Sequence, residues 1–139
     1  MAIAHSARTG TERRSLRLRP RAWSHRAARR LVRDMCSASA VPPGLIDDAT
    51  LVTGELVRSS VRQAQAPVDV VVEVDDGTVT VRVHDQGTGP AARRPAWKGT
   101  GRSRDIVARC STSWGYHQCA GGREMWASFR LPVAHVATA

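Results

Sequence analysis

The chain has 139 residues, 42% hydrophobic and 24% charged, from which one globular domain with a single core is expected rather than a two-domain enzyme. Its longest apolar runs, such as Val70 to Val72, are far too short to cross a bilayer, and the first thirty residues hold no apolar stretch of signal-peptide length. No membrane association and a cytoplasmic location are therefore expected. Basic residues outnumber acidic ones 21 to 12, for a net charge of +9, and all the basic residues but Lys98 are arginines. Ten of them stand between Arg8 and Arg33 against one acid, Glu12. Such a block could contact phosphates or an acidic protein, while its plainer reading is a basic leader running into a solvated helix face. The cysteines Cys36, Cys110 and Cys119 show no C-x-x-C spacing and suggest neither a disulfide framework nor a zinc site.

Residues 1–14 mix small, polar and basic residues without periodicity and are expected to be a disordered leader outside the fold. Ser15 to Pro20 alternates Leu16 and Leu18 with arginines, as a short edge strand would, and ends at Pro20. From Arg21 to about Ser39, Trp23, Ala27, Leu31 (or Ala28) and Met35 recur at helical spacing. After Val41-Pro42-Pro43-Gly44, a second stripe of Leu45, Ala49, Val52 and Leu56 predicts a helix to about Ala64. Val68, Val70, Val72 and Val74, then Asp76-Gly77, then Val79, Val81 and Val83 predict a hairpin. Asp105 to Cys110 reads as a short helix. Ser113 to Gln118 and Arg123 to Leu131 read as two strands joined by Ala120-Gly121-Gly122. Residues 133–139 form a tail. The order predicts, for residues 15–132, an α+β two-layer sandwich: one mixed, largely antiparallel sheet with helices on one face.

Four places could carry chemistry. Glu55 and Ser59 are one turn apart on the second helix, beside its apolar stripe, where a carboxylate could act as a general base or, through water, in a metal shell; the plainer reading pairs it with Arg58 or Arg62. Asp85-Gln86-Gly87-Thr88-Gly89 follows a strand directly; its glycines let backbone approach a flat ligand, and its carboxylate could accept a hydrogen bond from an exocyclic amine. Gly99-Thr100-Gly101-Arg102-Ser103 precedes the short helix and would offer free N–H groups to an anion. Gly121-Gly122 alone would be an ordinary turn.

Together these motifs resemble the Bergerat, or GHKL, ATP-binding fold of histidine kinases and gyrase, and most closely its small stand-alone branch, the serine-kinase anti-sigma factors and related ATP-binding regulators of actinobacteria. That branch has a helix reading close to E-L-V-T-N-A-V-R-H-A, where this chain has Glu55-Leu56-Val57-Arg58-Ser59-Ser60-Val61-Arg62-Gln63-Ala64. Asp85-Gln86-Gly87-Thr88-Gly89, Gly101-Arg102, Trp114-Gly115 and Gly121-Gly122-Arg123 with Trp126 extend the resemblance over residues 16–131. The resemblance implies ATP and magnesium as cofactors. Asp85 would recognise the adenine amine, Gly87 and Gly89 would shape its pocket, and Gly99, Gly101, Arg102 and Ser103 would cover the phosphates, with Gly121 and Gly122 at the last turn. Glu55 would be the general base toward a serine of a partner protein, and Ser59 stands where that family places its magnesium-binding Asn.

The resemblance further implies a sigma factor or an anti-sigma antagonist-like protein as partner, and a homodimer is compatible with it. Three departures stand out: Ser59 for the Asn, Ser103 for a glycine, and Glu124 for a small hydroxyl residue, which would bring a negative charge near the pocket. A catalytically degenerate pseudo-kinase that only docks a partner is the alternative. Nucleic-acid binding through the arginine-rich end is a further one, without an aromatic platform or groove-reading helix in its favour.

Overall fold

In the computed structural model, which describes residues 10–64, 66–86, 101–119 and 121–132, eight elements follow one another. They are β1 (Glu12–Leu18), α1 (His25–Ala38), α2 (Pro43–Ala64), β2 (Val68–Val74), β3 (Thr78–Asp85), α3 (Gly101–Cys110), β4 (Ser113–Cys119) and β5 (Gly122–Arg130). The strands form one five-stranded sheet in the order β1-β2-β3-β5-β4. Every pairing among them is antiparallel, so the sheet is not mixed. The α+β sandwich expected from the element order is the architecture found.

The valine hairpin is the centre of that sheet. Val68, Val70, Val72, Val79, Val81 and Val83 are fully buried, because the period of two sends each to the face that α1 and α2 cover. Each such side chain contributes about 1.5 kcal/mol or more through removal from water. The turn between the strands is closed by Asp75, whose Oδ1 accepts from the N–H groups of Gly77 and Thr78 at 2.9 and 2.8 Å. Among the described glycines only Gly121 has a positive φ, 85°, so an Asx turn rather than a left-handed Gly77 reverses the chain.

Several boundaries differ from the expected ones. β1 starts at Glu12, inside the segment assigned to the leader, because its backbone follows β2 along its whole length, from Leu18 opposite Val68 to Glu12 opposite Val74. Residues 1–9 and 133–139 lie outside the described residues. In α1 the buried side chains are His25, Ala28, Val32, Met35 and Cys36, whereas Trp23 precedes the helix and is 55% exposed and Ala27 faces solvent. Of the four-residue stripe beginning at Trp23, Met35 and the alternative Ala28 are buried and Leu31 packs against the core partly buried, whereas Trp23 and Ala27 do not belong to the buried face. In α2, Ala49, Val52 and Leu56 are buried as expected, and the helix begins at Pro43, where a missing N–H costs nothing.

The C-terminus of α1 is closed by Ala40, at φ 58°, with Val41 N–H donating to Cys36 O at 3.0 Å and the Val41 side chain buried. Gly54 on α2 gives room to Arg29 on α1: a Cβ there would lie 3.2 Å from the arginine's Cδ. Among the described residues no helix is long and apolar enough to cross a membrane.

Candidate functional site

β3 and β5 run antiparallel with Asp85 opposite Arg123. Alternation places both on the buried face, Asp85 after Val79, Val81 and Val83, and Arg123 before Met125, Ala127 and Phe129. The guanidinium grips the carboxylate with two nitrogens: Nε donates to Oδ1 at 3.2 Å and Nη2 to Oδ2 at 3.3 Å. Its third nitrogen, Nη1, donates to Gln63 Oε1 at 2.5 Å, and Gln63 Nε2 donates to Ser59 Oγ at 3.4 Å. Glu55 stands one turn further along α2 and pairs through Oε2 with Arg58 Nη1 at 3.4 Å. The end of β3, the start of β5 and one side of α2 are thereby joined by a polar chain, Asp85–Arg123–Gln63–Ser59, with Glu55 next in line.

The glycines at this end have distinct reasons. Gly121 supplies the left-handed φ of the β4–β5 turn. At Gly122 a Cβ would fall 1.8 Å from the carbonyl oxygen of Asp85, so only glycine lets β5 begin against the end of β3. Gly115 is needed for a different neighbour: a Cβ there would meet the Trp126 indole Nε1 at 2.6 Å. Gly101, Arg102 and Ser103 belong to the first turn of α3 rather than to a loop ahead of it, because the helix starts four residues earlier than its apolar pattern indicates, and α3 packs against α2. Gly87, Gly89 and Gly99 lie outside the described residues.

Glu124 is not near this chain of contacts. It lies on the opposite face of the sheet, 3.4 Å from Arg82 and 3.8 Å from His117, because one residue along a strand exchanges faces. The side chain that enters the buried row is Arg123. Arg123 and Gln63 both fall within the motif segments that carry the resemblance, yet neither is expected there as a site residue, although the β5 alternation Arg123, Met125, Ala127, Phe129 marks the arginine as inward-facing. Ser60, beside Ser59, is fully buried, and its hydroxyl has no hydrogen-bond partner among the described residues. Cys36 is fully buried and burial pushes its thiol up to about 11, which leaves it inert at neutral pH.

In this arrangement two of the candidate site residues, Asp85 and Ser59, are engaged within the chain. The Asp85 carboxylate is 1% exposed and each of its oxygens accepts a hydrogen bond from Arg123, so burial and the ion pair together shield it from an exocyclic amine. Ser59 is 6% exposed and already accepts from Gln63, and no group of three His, Cys, Asp or Glu able to hold a metal occurs among the described residues.

A profile of the histidine kinase-like ATPase domain family matches residues 18–111, and the chain belongs to that family. Solved structures share the fold, and two of them serve as examples. One, of the RsbU and RsbW domains of a Mycobacterium tuberculosis protein, is 18% identical with a TM-score of 0.65; the match covers 86% of this chain and 32% of that one. This chain thus spans about a third of the length of that relative. The other, the SiaB–SiaC complex from Pseudomonas aeruginosa, is 15% identical with a TM-score of 0.59, covering 94% of this chain and 96% of that one. No curated protein sequence matches the chain.

Proposed function

We infer that the chain is a regulator of the anti-sigma type that works by docking a protein partner, a sigma factor or an anti-sigma antagonist-like protein, while its own Arg123 occupies the adenine-recognising carboxylate. One observation carries this reading: the bidentate, buried Asp85–Arg123 pair, placed where the family resemblance puts nucleotide recognition. A carboxylate so engaged would have to lose two charge-assisted hydrogen bonds before meeting another ligand.

A second reading is an ATP- and magnesium-dependent serine kinase, with Glu55 as base toward the partner's serine, Ser59 at the metal position and Gly101, Arg102 and Ser103 over the phosphates. It is favoured by the alignment of Glu55, Ser59 and Gln63 on one side of α2, leading to Asp85.

Thermal unfolding with ATP and magnesium separates the two. On the first reading the wild-type protein is unmoved and Arg123→Thr gains a nucleotide-dependent rise. On the second, wild type itself is stabilised by about 2.7 kcal/mol at a hundredfold excess over Kd, and Ser59→Asn strengthens the effect.

A further inference from the structure

The turn before α1 and the second half of α2 line a half-open cavity of about 310 Å³. Its apolar lining is Ala22, Val57 and Val61; its polar lining is His25 and three arginines, Arg21, Arg58 and Arg62, with no carboxylate among the lining residues. The valines stand about 160° around α2 from Ser59 and Gln63, so the cavity belongs to a different face of the helix from the Asp85 chain.

Two of the three arginines, Arg21 and Arg58, are held in place. Ser24 accepts from the Arg21 N–H at 3.0 Å and donates to Arg19 O, which shapes the turn, and the Arg21 guanidinium lies over the Trp23 ring at 5.7 Å. His25 Nδ1 lies 3.1 Å from Ala22 O, so that nitrogen carries the proton and Nε2 is left to accept from Arg58 Nη2 at 3.2 Å. Arg58 also meets Glu55 through Nη1, whereas Arg62 has no hydrogen-bond or ion-pair partner among the described residues. The Ser24 side chain is turned away from α1, which begins at this cavity with no side-chain cap and no acid in its first turn. Three guanidiniums and an apolar wall together suit an anion of more than one charge that carries a hydrocarbon group.

We propose that this cavity is a binding site for a phosphate monoester dianion, with its oxygens on Arg21, Arg58 and Arg62 and its organic group against Ala22 and Val61. Calorimetric titration of the whole chain with phenyl phosphate, inorganic phosphate and benzoate tests it. Phenyl phosphate binds, inorganic phosphate binds more weakly for want of the valine contact, and the singly charged benzoate more weakly still. Arg62→Gln and Arg21→Gln each weaken phenyl phosphate about tenfold, the worth of one charge-assisted hydrogen bond. Arg30→Gln, an exposed arginine of α1 outside the cavity, changes it less than twofold.

The proposal is overturned by any one of four results: no binding of phenyl phosphate, affinity untouched by Arg62→Gln, equal weakening by Arg30→Gln, or equal affinity for benzoate. Equal affinity for inorganic phosphate removes the organic group from the assignment. The substituted arginines are solvent-exposed, so the variants keep the fold, and none of the outcomes depends on nucleotide binding at Asp85.

Discussion

Asp85 and Arg123 face each other across the β3–β5 ladder and form a buried, two-point ion pair, 1% and 3% exposed. Removing either partner leaves an uncompensated charge in the interior. Arg123→Met or Asp85→Leu alone is expected to destabilise the fold by about 3–5 kcal/mol, and the double variant by much less than the sum. Urea unfolding of the three variants checks this; additive losses would show that the pair is not coupled.

The contact between the start of β5 and the end of β3 makes two glycines unequal. At Gly122 an added methyl meets the Asp85 backbone, which cannot rotate away, so Gly122→Ala should cost about 3 kcal/mol. At Gly77 the nearest atom is 4.0 Å away and φ is not positive, so Gly77→Ala should stay within about 0.5 kcal/mol. Denaturation midpoints of the two variants provide the comparison.

Ala40 closes α1 in the left-handed region, where its Cβ is crowded. Ala40→Gly should therefore stabilise the protein by about 1 kcal/mol, even though it removes a methyl group. A rise in Tm of a few degrees is the expected result, and a fall would mean that the α1 cap is not limiting.

His25 gives the stability an acid-side dependence. Burial, and then the neighbouring Arg58, hold its pKa below the ordinary 6.5, with Arg29 and Arg26 adding smaller effects against the bond to Ala22 O. The folded ring thus favours the neutral form and the unfolded chain takes up the proton first. Its contribution to stability is present above pH 6.5 and lost as the pH falls through the folded pKa. Tm measured down from pH 7 should fall less steeply in His25→Gln than in wild type, and an NMR titration of the ring should place its pKa below 6.5.

The sheet was legible where the residue pattern is local. Alternating valines around Asp76-Gly77 name the hairpin and its buried face without help from the rest of the chain, since period two is a property of the strand itself. The same reasoning held only in part in α1, where small and basic residues surround the apolar ones and Ala27 and Ala28 serve a four-residue spacing equally well. Which alanine is buried depends on how α1 lies against α2, and that is settled by packing around Arg29 and Gly54. The strand ends were set by partners: β1 reaches back to Glu12 only because β2 offers it backbone groups as far as Val74.

For the candidate site, the chain order of Glu55, Ser59, Asp85 and Gly121-Gly122 was enough to suggest a family, because those residue types must recur at fixed offsets on a helix, a strand end and a turn. It did not reveal that Arg123 turns inward onto Asp85 or that Gln63 links it to Ser59. A sequence specifies which face of its own strand a side chain occupies. Which charge it meets across the ladder is decided by register, and register exists only once β3, β5 and α2 have packed together.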